Sequence, residues 1–122
     1  MRHLMARLVY DTRDRPLAAG VRLAAQRARR LLFVAEELEV VLQVSRDPSS
    51  SGFKVMGEVL WEGVPVVGAT IRLSGPVTPT NQPTDLEGKF RLAALPSGDY
   101  SIEIGMEDRV VDIPALDVGD AS

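Results

Sequence analysis

The sequence predicts an all-β sandwich, and three observations carry that prediction. Apolar and polar residues alternate in Leu38–Val44, Phe53–Trp61 and Ala69–Leu73, the period of two that a half-buried strand requires because successive side chains leave opposite faces. Each run is short and bounded by turn residues: Gly63-Val64-Pro65, Asp85-Leu86-Glu87-Gly88 and Pro96-Ser97-Gly98-Asp99, where Gly, Pro and Asp supply the backbone geometry of tight turns. Short strands at regular spacing between such signals mark a sandwich or barrel.

The 122 residues fit one domain, or one small domain with an extension. Apolar residues make up 45% and charged residues 25%, a globular balance that supports a core. No cysteine is present, so disulfides and thiolate metal sites are excluded. A net charge of -3 and a pI near 5.1 weigh against a nucleic-acid binder that works by bulk charge. No stretch approaches the roughly twenty apolar residues of a membrane helix, and the first residues lack a signal-peptide core. The expected location is the cytoplasm, without membrane contact.

Residues 4–10 read as one short strand with Leu4, Leu8 and Tyr10 on one face. Asp11 to Pro16 is a charged turn ending in a helix-breaking proline. Residues 17–30, rich in Ala and Arg but interrupted by Gly20, read as a short helix or an ordered coil. Residues 31–45 add one or two strands, with Leu38, Val40, Leu42 and Val44 sharing a face. Arg46 to Gly52 is a polar loop. Phe53, Val55, Gly57, Val59 and Trp61 share the face of the next strand. Ala69, Ile71 and Leu73 point opposite to Thr70 and Arg72. Ser74–Pro83 holds three prolines and reads as a loop. Strands follow at Phe90–Leu95, Tyr100–Ile104 and Arg109–Ile113, and the tail frays.

Gly57-Glu58-Val59, Gly63 to Leu73, Thr84 to Phe90 and Leu95 to Tyr100 together resemble the carboxypeptidase regulatory-like domain. That resemblance implies a transthyretin-like, Greek-key β-sandwich of about seven strands over residues 53–118, with residues 1–46 packed on it as an extension and 119–122 as a frayed tail. Such domains serve mostly as folding, spacer or binding modules. The front segment resembles small bacterial proteins whose genes lie near signalling or sigma-factor genes.

The marked residues of this stretch have scaffold roles. Gly63, Gly68 and Gly88 suit turns, Asp85 accepts turn amides, and Tyr100 plugs one end with its hydroxyl in water. The single histidine, His3, lies at a chain end, whereas related hydrolases need a histidine cluster and related dioxygenases two His and two Tyr. Ser49-Ser50-Ser51 has no partner base in a recognisable arrangement. Asp85 and Glu87 fall short of the six to eight oxygens of a calcium site. The expectation is a non-enzymatic protein without cofactor or metal, and a small-molecule ligand is disfavoured.

Two features suggest a protein partner. Arg22, Arg27, Arg29 and Arg30 form the basic cluster of the chain, either a solvated helix face or a dock for an acidic surface. Trp61 stands where the family more often has a polar residue, as a lid on the core or as an interface anchor. The expected function is a cytoplasmic, regulatory protein–protein interaction module. The competing reading is a glycan- or peptide-binding sandwich using loops 61–65, 74–83 and 96–99.

Overall fold

Leu38, Val40, Leu42 and Val44 point one way from a single strand and are all 2% exposed or less. The structure, a computed structural model, describes residues 1–12 and 29–119. It contains strands β1 (Arg2–Met5), β2 (Arg7–Asp11), β3 (Arg29–Ala35), β4 (Leu38–Arg46), β5 (Phe53–Trp61), β6 (Val64–Pro65), β7 (Thr70–Ser74), β8 (Thr80–Pro83), β9 (Lys89–Leu95), β10 (Gly98–Gly105) and β11 (Arg109–Val118). One sheet runs β1-β11-β10-β7-β8; the other runs β2-β3-β4-β5-β6, with β9 also paired to β5. All pairings are antiparallel except β1 with β11. No α-helix occurs among the described residues, so none there could cross a membrane.

The inner faces meet in one core. Ile71, Leu73, Ile102, Ile104, Val111 and Ile113 come from the first sheet; Leu31, Phe33, Val40, Leu42, Val55 and Val59 come from the second. Burying each such side chain contributes roughly 1.5–3 kcal/mol, and the β-branched members suit the pleated surface. The alternation of Ala69, Ile71 and Leu73 against exposed Thr70 and Arg72 is present as read.

Gly57 owes its place to a ring. It sits opposite Phe90 in the β5–β9 ladder, and a Cβ there would lie 2.1 Å from the Phe90 ring. The aromatic side chain thus covers the glycine and fills the space its missing side chain leaves. Gly57→Ala is expected to cost about 1–3 kcal/mol of stability through overpacking, read as a lower urea midpoint. Most of that loss should return in Gly57→Ala with Phe90→Leu. A Gly57→Ala single variant as stable as the parent refutes the close approach.

Four readings need correction. Residues 4–10 form two strands in different sheets, because the chain crosses at buried Ala6, whose N–H donates to Asp112 O at 2.9 Å. A bulge between Leu8 and Tyr10 then sets Leu8 opposite core-facing Phe33 and Tyr10 opposite Leu32, so the two do not share a face. Residues 80–83 are an edge strand, where proline is tolerated because a ladder is needed on one side only. The last strand runs to Val118 rather than stopping at Ile113. Residues 31–45 supply strands as expected, β3 and β4. The helix-or-coil stretch lies outside the described residues except Arg29 and Arg30, which open β3.

Side chains fasten loops to sheets. The Gln82 amide donates to Arg91 O at 2.7 Å and accepts Arg91 N–H at 3.1 Å. It thereby occupies the β9 edge from β8 and tethers the two sheets on that side. Tyr100 is buried and its hydroxyl donates to Pro96 O at 2.6 Å; the expectation of a water-facing hydroxyl is corrected, since a buried phenol needs a partner.

Asp47 is the third fastening. Its carboxylate accepts the Ser49 hydroxyl at 2.7 Å, Ser49 N–H at 3.0 Å and Ala94 N–H at 2.9 Å. It ties the 47–52 loop to Ala94, whose φ is 55°. These hydrogen bonds, the Ser49 hydroxyl first, pull its pKa from 3.8 to about 2. A carboxyl depressed on folding stabilises above its unfolded pKa, and that stability is lost as pH falls from about 4 through about 2. Asp47→Asn should therefore be less stable than the parent at pH 7, with the gap closing across that acid window. Urea midpoints at pH 7, 4 and 2 measure it; a constant gap sinks the assignment.

Candidate interaction surface

Turns 36–37, 62–63, 66–69, 84–88 and 106–108 lie at one end of the sandwich, as the strand registers require. Loops 47–52, 75–79 and 96–97 lie at the other. Loop 61–65 therefore lies at the opposite end from 75–79 and 96–97.

The first end carries three large apolar side chains turned outward: Val64 at 63% exposure, Val67 at 56% and Leu86 at 85%. Their loops are held firmly. Thr84 Oγ1 donates to Val66 O at 2.6 Å and accepts Ala69 N–H at 2.9 Å, while Thr84 N–H donates to Ala69 O at 2.8 Å. Asp85 accepts the N–H groups of Glu87 at 2.8 Å and Lys89 at 2.9 Å, and these bonds, that from Lys89 first, lower its pKa. Gly88 closes the turn at φ 73°, with Val59 O only 2.7 Å from where a Cβ would stand. Such a turn needs glycine on both counts.

Trp61 is half-buried beside this tip. It pairs with Val64 in the ladder and packs against the core, and the Arg109 guanidinium lies 4.3 Å over its ring. Asp108 accepts from Arg109 Nε at 2.8 Å and Nη2 at 2.7 Å, fixing the fork above the indole by cation–π attraction and a two-pronged ion pair. Nearby, Arg2 pairs with Glu36. The indole is thus a lid on the core with Arg109 as its cap.

The arginines stand elsewhere. Arg29 pairs with Val44 across β4 while Trp61 pairs with Leu38, six residues and about 20 Å along the strand. Arg29 is not a surface residue: its side chain is 4% exposed, donating to Asp11 Oδ1 at 3.0 Å and Oδ2 at 2.8 Å and to Asp117 O. As an interface candidate it is corrected, because its guanidinium is buried and engaged. Leu8, Asp99 and Leu116 line a cavity of about 230 Å³ beside this pair. Arg30 is exposed; Arg22 and Arg27 lie outside the described residues. No signal in the sequence joins Asp11 to Arg29, or Val64 and Val67 to Leu86, since only folding brings them together.

Among the described residues no three His, Cys, Asp or Glu side chains group to hold a metal ion. The fold defines the protein as a two-sheet, all-β sandwich. No protein-family model, curated protein or solved structure matches the chain.

Proposed function

We propose that this chain is a non-catalytic, cytoplasmic protein–protein interaction module of the carboxypeptidase regulatory-like type. In this reading it is an accessory or regulatory subunit of a bacterial signalling or sigma-factor-associated system. One observation carries the interaction reading: Val64 projects from β6, paired to Trp61, and Val67 and Leu86 project from loops locked by Thr84, Asp85 and Gly88. Apolar side chains kept outward on a rigid support bind without an ordering cost, the condition for an interface anchor. The polar groups Asp47, Thr84, Asp85, Tyr100, Gln82 and the Arg29–Asp11 pair already hold the scaffold together, which favours a binding role over a catalytic one.

The test is co-purification from native lysate with the parent and a Val64→Ser, Val67→Ser, Leu86→Ser variant. These side chains are exposed, so the variant should melt as the parent does. The expected result is a defined complex with the parent that the variant loses. A parent that emerges as a lone monomer under every condition ends the proposal.

A further inference from the structure

The apolar tip has a charge of its own. Glu37, Glu62 and Glu107 occupy the turns around it, and Glu62 N–H donates to Glu37 O at 3.1 Å. Among the described residues, three cations at this end are in ion pairs: Arg2 with Glu36, Lys89 with Glu87 at 3.9 Å, and Arg109 with Asp108 as well as the Trp61 ring. Arg7, beside the 36–37 turn, and the Met1 amine are further positive charges there. No ion pair is made to Glu37, Glu62 or Glu107, although Glu37 lies within the field of Arg109.

One of these glutamates, and Glu36 beside Glu37, also sit badly. Glu36 has φ 56° and Glu62 has φ 50°, left-handed positions in two-residue hairpin turns where Asn or Gly is the low-strain choice. Acidic side chains are thus placed where the backbone disfavours them, and local rules are broken most often at working surfaces.

We infer that the tip of Val64, Val67 and Leu86 docks a cationic amphipathic segment of a protein partner, its apolar face on the three side chains and its Lys or Arg residues against Glu37, Glu62 and Glu107. This rests on the interaction reading above and adds the partner's chemistry. Complementary charge raises the on-rate and rejects acidic competitors, while the apolar centre supplies most of the affinity. An anionic membrane is the wrong match, because the same glutamates would repel it.

Trp61, the chain's one tryptophan, adjoins Val64 and reports binding. The probes are three synthetic amphipathic peptides of about five helical turns, patterned Lys/Leu, Gln/Leu and Glu/Leu, together with phosphatidylglycerol vesicles. The Lys/Leu peptide should shift Trp61 emission and bind roughly tenfold tighter than Gln/Leu, with Glu/Leu weakest. Leu86→Ser should weaken it by about tenfold or more. Glu37→Gln, Glu62→Gln and Glu107→Gln together should remove most of the Lys/Leu preference, and added salt should do the same. Glu103→Gln with Asp112→Asn, on the first sheet's outer face, should leave it unchanged.

If all three peptides bind equally but remain sensitive to Leu86→Ser, the charge assignment is overturned and the interaction reading stands. Binding indifferent to Leu86→Ser, or partition into vesicles in place of peptide, overturns both.

Discussion

Removal of residues 1–46 is expected to abolish the folded state, leaving insoluble or unstructured chain in place of a smaller sandwich. β4 pairs with β5 along its whole length, Leu38 with Trp61 through Arg46 with Phe53, so the truncation strips one edge of β5 of every ladder partner. It also removes Ala6, Leu31, Phe33, Ala35, Leu38, Val40, Leu42 and Val44 from the core. At roughly 1.5–3 kcal/mol for each large side chain, that loss exceeds the 5–15 kcal/mol by which a domain is normally stable. β1 goes as well, and with it the parallel partner of β11. What remains would present Val55, Val59 and an unpaired strand to water, an invitation to edge-to-edge association. Soluble yield and a thermal melt followed by circular dichroism measure the outcome. A soluble truncation that melts cooperatively would show the front to be an appendage, against the ladder described.

Part of the molecule is legible in the sequence itself. Alternation is a local signal, so the core faces of β4, β5 and β7 were legible residue by residue, as was the Asp85 turn, whose donors lie two and four residues away. The division of residues 4–10 between two sheets was not, because it turns on a one-residue crossing at Ala6 that leaves the apolar pattern intact. Nor was the tip: the Gly63–Pro65 turn is legible, but the exposure of Val64 and Val67 beside Leu86 follows only once Thr84 pins the loop to its neighbours. The arginine cluster misled for a related reason. A run of like charges suggests a solvated face, yet Arg29 falls on the inward side of β3, where Leu31 and Phe33 also point, and its partners are 18 and 88 residues away. Trp61 was legible as a lid or an interface anchor with nothing local to choose between them; its Arg109 cap, 48 residues downstream, was not legible.

Arg29→Ala is expected to cost about 3–5 kcal/mol, the largest effect of any single substitution here, because it leaves the Asp11 carboxylate buried without the guanidinium that neutralises it. The side chain links three strands. Nε and Nη2 grip Asp11 of β2, and Nη1 reaches the Asp117 carbonyl of β11 in the other sheet, so the pair bolts the two sheets together beside the Leu8–Leu116 cavity. A buried ion pair is weak evidence for net stability, since desolvating both charges offsets much of their attraction. The informative comparison is therefore the cycle of Arg29→Met, Asp11→Leu and both together. Each single substitution should be strongly destabilising. The double variant should recover most of the loss, because two apolar side chains of similar volume then fill the space with no charge left to desolvate. Urea midpoints of the four proteins give the coupling. If the double variant is as unstable as the sum of the singles, the two residues act independently and the bolt between the sheets is refuted. If Arg29→Met alone is neutral, the guanidinium is not what compensates the Asp11 charge and the bolt is refuted.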